Sequence, residues 1–147
     1  MEADKKRYVV TCTIDSNKRS NQSTLEKFGL CDFHSYTMMQ VKAVPLSKGH
    51  NQIRYFLQLR NPWGTREWLG PWSDNSDTWD KYPDVDEVLR APPSKPPSVR
   101  SPRNEPNENK DINDGRFWIL YKDFFKFFYS VTINYTRDDF HSVRISD

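Results

Sequence analysis

Cysteine is scarce: the 147 residues hold only Cys12 and Cys31. Two thiols are too few for the disulfide framework of a small secreted domain, so a reducing compartment, the cytoplasm, is the expected location. Long apolar runs are missing as well. No stretch approaches the roughly 18 residues that a membrane span needs, and the opening MEADKKRY carries no hydrophobic targeting segment. Charge of one sign is not in excess. The 22 Lys and Arg stand against 20 Asp and Glu for a net charge of +2, which gives no electrostatic reason to expect a nucleic-acid partner. Apolar residues reach only 35%, low for a globular chain, while aromatics reach 14%, so the expected core is small and rich in rings. The length suits one domain over residues 1–147, alone or as part of something larger.

The rings are concentrated in Arg60–Trp79, RNPWGTREWLGPWSDNSDTW, which holds four of the five Trp. Clustered large rings are costly to leave in water, so this stretch reads as a folded knot. Ile53–Arg60, IRYFLQLR, precedes it and places Ile53, Tyr55, Leu57 and Leu59 on one face at period two, as a half-buried strand does. A residue before proline is pushed out of helical φ/ψ, so Asn61 sits at a strand-to-turn corner. On spacing alone an ordinary Asn-Pro turn is the commoner outcome.

Upstream, Arg7–Ile14 is rich in β-branched residues and reads as a strand with Cys12 buried; a polar loop comes next, then one irregular turn over Thr24–Leu30 closed by Gly29. Phe33–Val44 reads as a strand with His34, Tyr36 and Met38 pointing one way. PLSKGHN at 45–51 turns it back into IRYFLQLR, so 34–60 forms an antiparallel hairpin that brings His34 and Asn61 to the same end of a sheet. A lone His at a strand end is most often a surface residue. Beside an Asn, the pair also suits a Cys-His-Asn arrangement, where the amide oxygen fixes the imidazole and leaves its other nitrogen for a nucleophile.

Residues 91–112, APPSKPPSVRSPRNEPNENKDI, hold six of the ten prolines and almost no apolar side chains, a composition that does not offset its ordering entropy. They are expected to form a disordered insertion nicked by proteases near Arg100–Arg103; a proline-motif docking ligand is the lesser reading. Asp84–Arg90 reads as a short helical turn, Arg116–Leu120 as a strand, and Ser130–Thr136 and Ser142–Ser146 as closing strands. In Tyr121–Tyr129, Phe124, Phe125, Phe127 and Phe128 recur at helical spacing and should pack a helix on the sheet. The expected fold is β-rich α+β: an antiparallel sheet or barrel with one or two short helices.

RNPWGTREWLGPWSD resembles the segment RNPWG-x-x-EW-x-G-x-WSD of the calpain family of cysteine proteases. FHSYTM looks like that family's GHAYSV, and DGRFWILYKDFFKFF looks like its DGEFWM-x-x-x-DF-x-x-x-F. The resemblance implies the second half of a papain-like protease core, with His34 as catalytic base, Asn61 as its orienting partner and Trp63 shielding them at the cleft. The family's nucleophilic Cys lies in the first half, in a Gln-Gly-x-x-Gly-Asp-Cys-Trp context that this sequence does not contain. The implied partners are therefore a Cys-bearing first half and a protein or peptide substrate, and the chain alone is expected to be inactive. Phe33 stands where calpains usually have Gly, which would narrow the cleft or change substrate preference. The other function carried is a calpain-like binding or scaffolding module without catalysis.

The resemblance also implies calcium. Its carboxylates map onto Glu67, Asp74 and Asp114, with the Ile112 carbonyl as a further oxygen. The family's second acid of DGE is Arg116 here, which takes away an oxygen and adds a repelling charge. The expectation is weak or no calcium binding, with Arg116 paired to Glu67 or Asp74 as a built-in cation.

Overall fold

The computed structural model describes residues 8–45, 53–90 and 114–135. Five strands form one antiparallel sheet: β1 (Tyr8–Ile14), β2 (His34–Pro45), β3 (Ile53–Arg60), β4 (Arg116–Leu120) and β5 (Ser130–Tyr135), in the order β4-β3-β2-β1-β5. Between them lie short helices α1 (Gln22–Lys27), α2 (Thr78–Lys81), α3 (Pro83–Arg90) and α4 (Tyr121–Phe127). Of the two shapes expected, sheet or barrel, the described strands form the open sheet. The 91–112 insertion and the 142–146 strand lie outside the described residues.

The β4-β3-β2 part of the sheet is covered on both faces, whereas β5 is largely exposed. On one, Cys12, Ile14, Tyr36, Leu57, Leu59, Phe117 and Ile119 pack with Leu25 of α1, with Phe124 and Phe127 of α4, and with Trp68. On the other, Phe56, Val44 and Trp118 meet Trp72, Trp79, and Val85 and Leu89 of α3. The Trp-rich stretch is thus a fold-over that supplies rings to both cores. Each buried large apolar side chain contributes about 1.5–3 kcal/mol, so the aromatic share makes up for the low apolar content.

Two-sided cover explains where simple alternation fails. In β3, Leu57 and Leu59 are buried as expected, but Ile53 and Tyr55 are exposed, and Phe56 is wholly buried on the opposite face. In β2, an extra residue between Met38 and Gln40 shifts the register against β3, a bulge that re-aims the rest of the strand. Phe125 also departs from expectation. It is exposed, with the Arg19 guanidinium 4.5 Å from its ring, while Phe124, Phe127 and Phe128 face the core.

The turn expected at 24–30 is helix α1. Its first turn is capped by Asn21, whose side chain accepts the Thr24 N–H at 2.9 Å. It ends in the pair Leu30 N–H to Leu25 O, 2.9 Å, and Gly29 N–H to Glu26 O, 3.0 Å, with Gly29 at φ +73°. This is a Schellman closure, which needs a left-handed residue at Gly29.

Candidate active-site half

β2 and β3 pair Thr37 with Arg60, the last matched position toward this end. Continuing that register lays His34 against the start of the knot. There His34 Nε2 and Asn61 Oδ1 are 2.9 Å apart, and the Trp63 ring lies 4.0 Å from the imidazole, centroid to centroid, tilted by 33°. Tyr36 meets the same imidazole edge-on at 5.0 Å. The structure therefore brings His34, Asn61 and Trp63 together. Trp63 remains 60% exposed, so it covers the imidazole from one side only.

Asn61 is completely buried, and its hydrogen bonds decide which way its amide points. Nδ2 donates to the carbonyls of Thr65, 2.5 Å, and Arg66, 3.1 Å. Oδ1 accepts the Trp63 N–H at 3.1 Å. Carbonyls cannot donate and an amide N–H cannot accept, so Oδ1 must be the atom facing His34. The imidazole then donates through Nε2–H, and its neutral form leaves Nδ1 as the proton acceptor. These carbonyls are backbone groups of a turn, which no residue pattern announces.

Phe33 is 68% exposed and adopts φ +47°. Its N–H is held by Asp32 Oδ1 at 2.8 Å, an atom that also accepts the Ser16 N–H at 2.8 Å. The backbone before His34 thus has the left-handed shape that glycine takes at no steric cost, and a non-glycine residue there stores about 1–3 kcal/mol. Neither thiol is available to the imidazole. Cys12 and Cys31 are both free and buried. Burial pushes the Cys12 thiol up to about 12. The Cys31 N–H donates to the Tyr36 hydroxyl at 2.9 Å, so that residue is tied into the core.

The acids converge behind Asn61. Burial pushes Glu67 up to about 7, with the charges of Asp74 and Asp114 adding to it. Burial raises Asp74 as well, with its contact to Glu67 acting the other way. Massed carboxylates of this kind suit a cation. Three of their oxygens already have partners: Glu67 Oε1 accepts the Gly115 N–H at 2.7 Å, Asp114 Oδ1 the Arg116 N–H at 2.7 Å, and Asp114 Oδ2 meets the Arg116 guanidinium at 3.2 Å. Among the described residues no three acidic, His or Cys side chains are gathered closely enough to hold a metal. Arg116 pairs with Asp114, not with Glu67 or Asp74 as expected, because both lie at the mouth of β4 on the same short turn. Ile112 lies outside the described residues. The residue that sequence reasoning missed is Gly115, whose signal was the glycine of DGR.

No described helix is long and apolar enough to cross a membrane. Comparison with known proteins agrees with the geometry. The family model described as calpain family cysteine protease matches residues 1–135. Mouse calpain-9 is 32% identical over 138 residues, 93% of this chain and 17% of that protein. Rat calpain-5 is 29% identical over 127 residues, 82% of this chain and 17% of that protein. Calpain clp-4 of Caenorhabditis elegans is 30% identical over 134 residues, 90% of this chain and 16% of that protein. The chain thus spans about one sixth of the length of these relatives. With the match running through both strands of the His34–Asn61 hairpin and on through β5, the chain belongs to the calpain family of cysteine proteases.

Proposed function

We propose that this chain is the His- and Asn-bearing half of a cytoplasmic calpain-type endopeptidase, which hydrolyses peptide bonds when joined to a Cys-bearing half. The observation that carries this reading is the 2.9 Å contact from His34 Nε2 to Asn61 Oδ1, with its direction set by the Thr65, Arg66 and Trp63 backbone. In such a centre Nδ1 of His34 takes the proton of the incoming thiol. The thiolate attacks the scissile carbonyl, and the same proton passes to the leaving amine as the acyl-enzyme forms. Nδ1 then deprotonates the water that releases the acid. Asn61 keeps the ring aimed through both steps, and Trp63 covers one side of the bond between them.

Cys12 and Cys31 are buried, so the chain alone should not cleave a peptide substrate. In the full-length protein, His34→Ala should lower kcat by about 10²–10⁴-fold, the usual worth of a positioned base. Asn61→Ala should cost less, because Asn61 orients the base and does not itself accept the proton. Unchanged peptidase activity in His34→Ala refutes the assignment.

A second reading, a calpain-like module without catalysis, draws on Phe33, whose exposed ring sits directly before His34. A Cys in a Gly-Asp-Cys-Trp context upstream decides for the enzyme; Ser or Ala there decides for the module. For the acids, the reading is that Arg116 and Gly115 hold the loops that an ion would otherwise hold. Calcium titration by calorimetry should give no saturable heat at micromolar concentrations; saturable binding lost in Glu67→Ala refutes it.

A further inference from the structure

Three short hydrogen bonds in series connect the acidic turn to the imidazole. Glu67 Oε1 accepts the Gly115 N–H at 2.7 Å. The Gly115 carbonyl accepts the Asn61 N–H at 2.7 Å. Asn61 Oδ1 meets His34 Nε2 at 2.9 Å. The middle bond continues the β3–β4 ladder by one step, since Arg60 already pairs with Arg116. It is also the last bond of that ladder, and the one on which the Asn61 backbone depends as the chain leaves the sheet.

Glycine is the only residue type that allows the link. The φ of Gly115 is +81°, and a Cβ would lie 2.6 Å from the Asn61 carbonyl oxygen and 2.9 Å from Gly64 Cα. Around it, Asp114 Oδ1 closes on the Arg116 N–H at 2.7 Å, so the turn is held from within. What holds it from outside is Glu67, which comes directly after the two residues whose carbonyls clamp the Asn61 amide.

We propose that Glu67 is a positioning residue for the His34–Asn61 pair, acting as a hydrogen-bond acceptor through Gly115. This rests on the reading of that pair as catalytic. The physical ground is angular. A hydrogen bond weakens steeply as its donor angle closes, and the aim of a short side chain such as Asn tracks its backbone directly. Loosening the 114–116 turn frees the Asn61 N–H, tilts its backbone and swings Oδ1 away from Nε2.

Two substitutions separate the bond from the charge. Glu67→Gln keeps an acceptor oxygen at the same reach and removes the charge. Glu67→Asp keeps the charge and falls one methylene short. The readouts, by nitrogen-15 NMR on the 147-residue chain, are hydrogen-exchange protection of the Asn61 and Gly115 amides and the His34 imidazole nitrogen shifts. Glu67→Gln should keep the His34 shifts and most of the protection. Glu67→Asp should lose protection by about tenfold or more, the equivalent of one charge-assisted bond, with β1 and β2 amides unaffected. A Glu67→Asp chain that matches wild type overturns the proposal, and so does a Glu67→Gln chain that loses protection, by unfolding or otherwise. Neither readout uses catalysis, so failure here leaves the His34→Ala activity test standing, and the reverse also holds.

Discussion

Asn61 shows how much can rest on one amide. Its side chain has two donors and one acceptor oxygen, and all are in use: two carbonyls, one backbone N–H and the imidazole. That saturation makes the oxygen-to-imidazole orientation obligatory. Asn61→Ala should destabilise the chain by about 1–3 kcal/mol through the partners it leaves unpaired in a buried place. Asn61→Asp should cost more, because it turns a carboxylate oxygen toward the Thr65 and Arg66 carbonyls. Urea denaturation of the two variants orders them; an Asp variant as stable as wild type would contradict the donor assignment. Phe33 illustrates the opposite case. A strained left-handed φ of +47° is retained with a ring in solvent, and the space it occupies lies next to His34 in sequence.

Among elements, α1 shows a helix stopped by one residue whose shape also serves the site. Gly29 closes the Schellman turn, and a Cβ there would lie 2.1 Å from the Glu67 carbonyl oxygen. The Leu69 N–H donates to the Phe28 carbonyl at 2.9 Å, joining the same two segments. Gly29→Ala should therefore combine left-handed strain, about 1–3 kcal/mol, with displacement of the segment carrying Glu67. The expected result is a lower urea midpoint together with shifted Asn61 and His34 resonances. A loss of stability with the site resonances unmoved would show that the cap and the site are independent. The second core offers a control away from the site. Trp79 packs at 5.0 Å against Trp72 and donates Nε1–H to the Ser73 carbonyl at 2.6 Å. Trp79→Ala should cost about 3–5 kcal/mol as a cavity in a ring-built core, read from the urea midpoint, with the His34 resonances unmoved.

For the whole molecule, the buried thiols report on global opening. Cys12 is wholly inaccessible, in the middle of β1. Thiol reagents should leave it unreacted in the native chain and modify it only as fast as the chain unfolds; rapid native labelling would contradict its place in the core. Its pH linkage has a definite sign. The folded thiol stays protonated to about 12, whereas its ordinary value is 9.0. Between those values the unfolded chain binds fewer protons, so stability falls as pH rises, by about 1.4 kcal/mol per unit for the one thiol. Below the ordinary value of 9.0 the contribution is fully present. Cys12→Ala should flatten that alkaline decline.

Much of the fold was legible because strands declare themselves by period and turns by Gly and Pro. The hairpin from His34 to Arg60, the strand at Arg116–Leu120 and the aromatic helix are set by pattern alone. Period two also predicted that His34 and Asn61 share one end of the sheet, since antiparallel pairing brings the ends of a hairpin together. What pattern could not reveal was which face each ring would take. Ile53, Tyr55 and Phe125 depart from their periodic pattern because burial depends on what another segment lays over a strand or helix, and the Trp-rich fold-over supplies rings to both cores. Nor could it reveal the partner of Arg116, which a turn geometry assigns to Asp114, or the carbonyls of Thr65 and Arg66 and the Gly115 peptide. Those are backbone groups with the same chemistry in every residue, and only the path of the chain in space decides which of them reach Asn61.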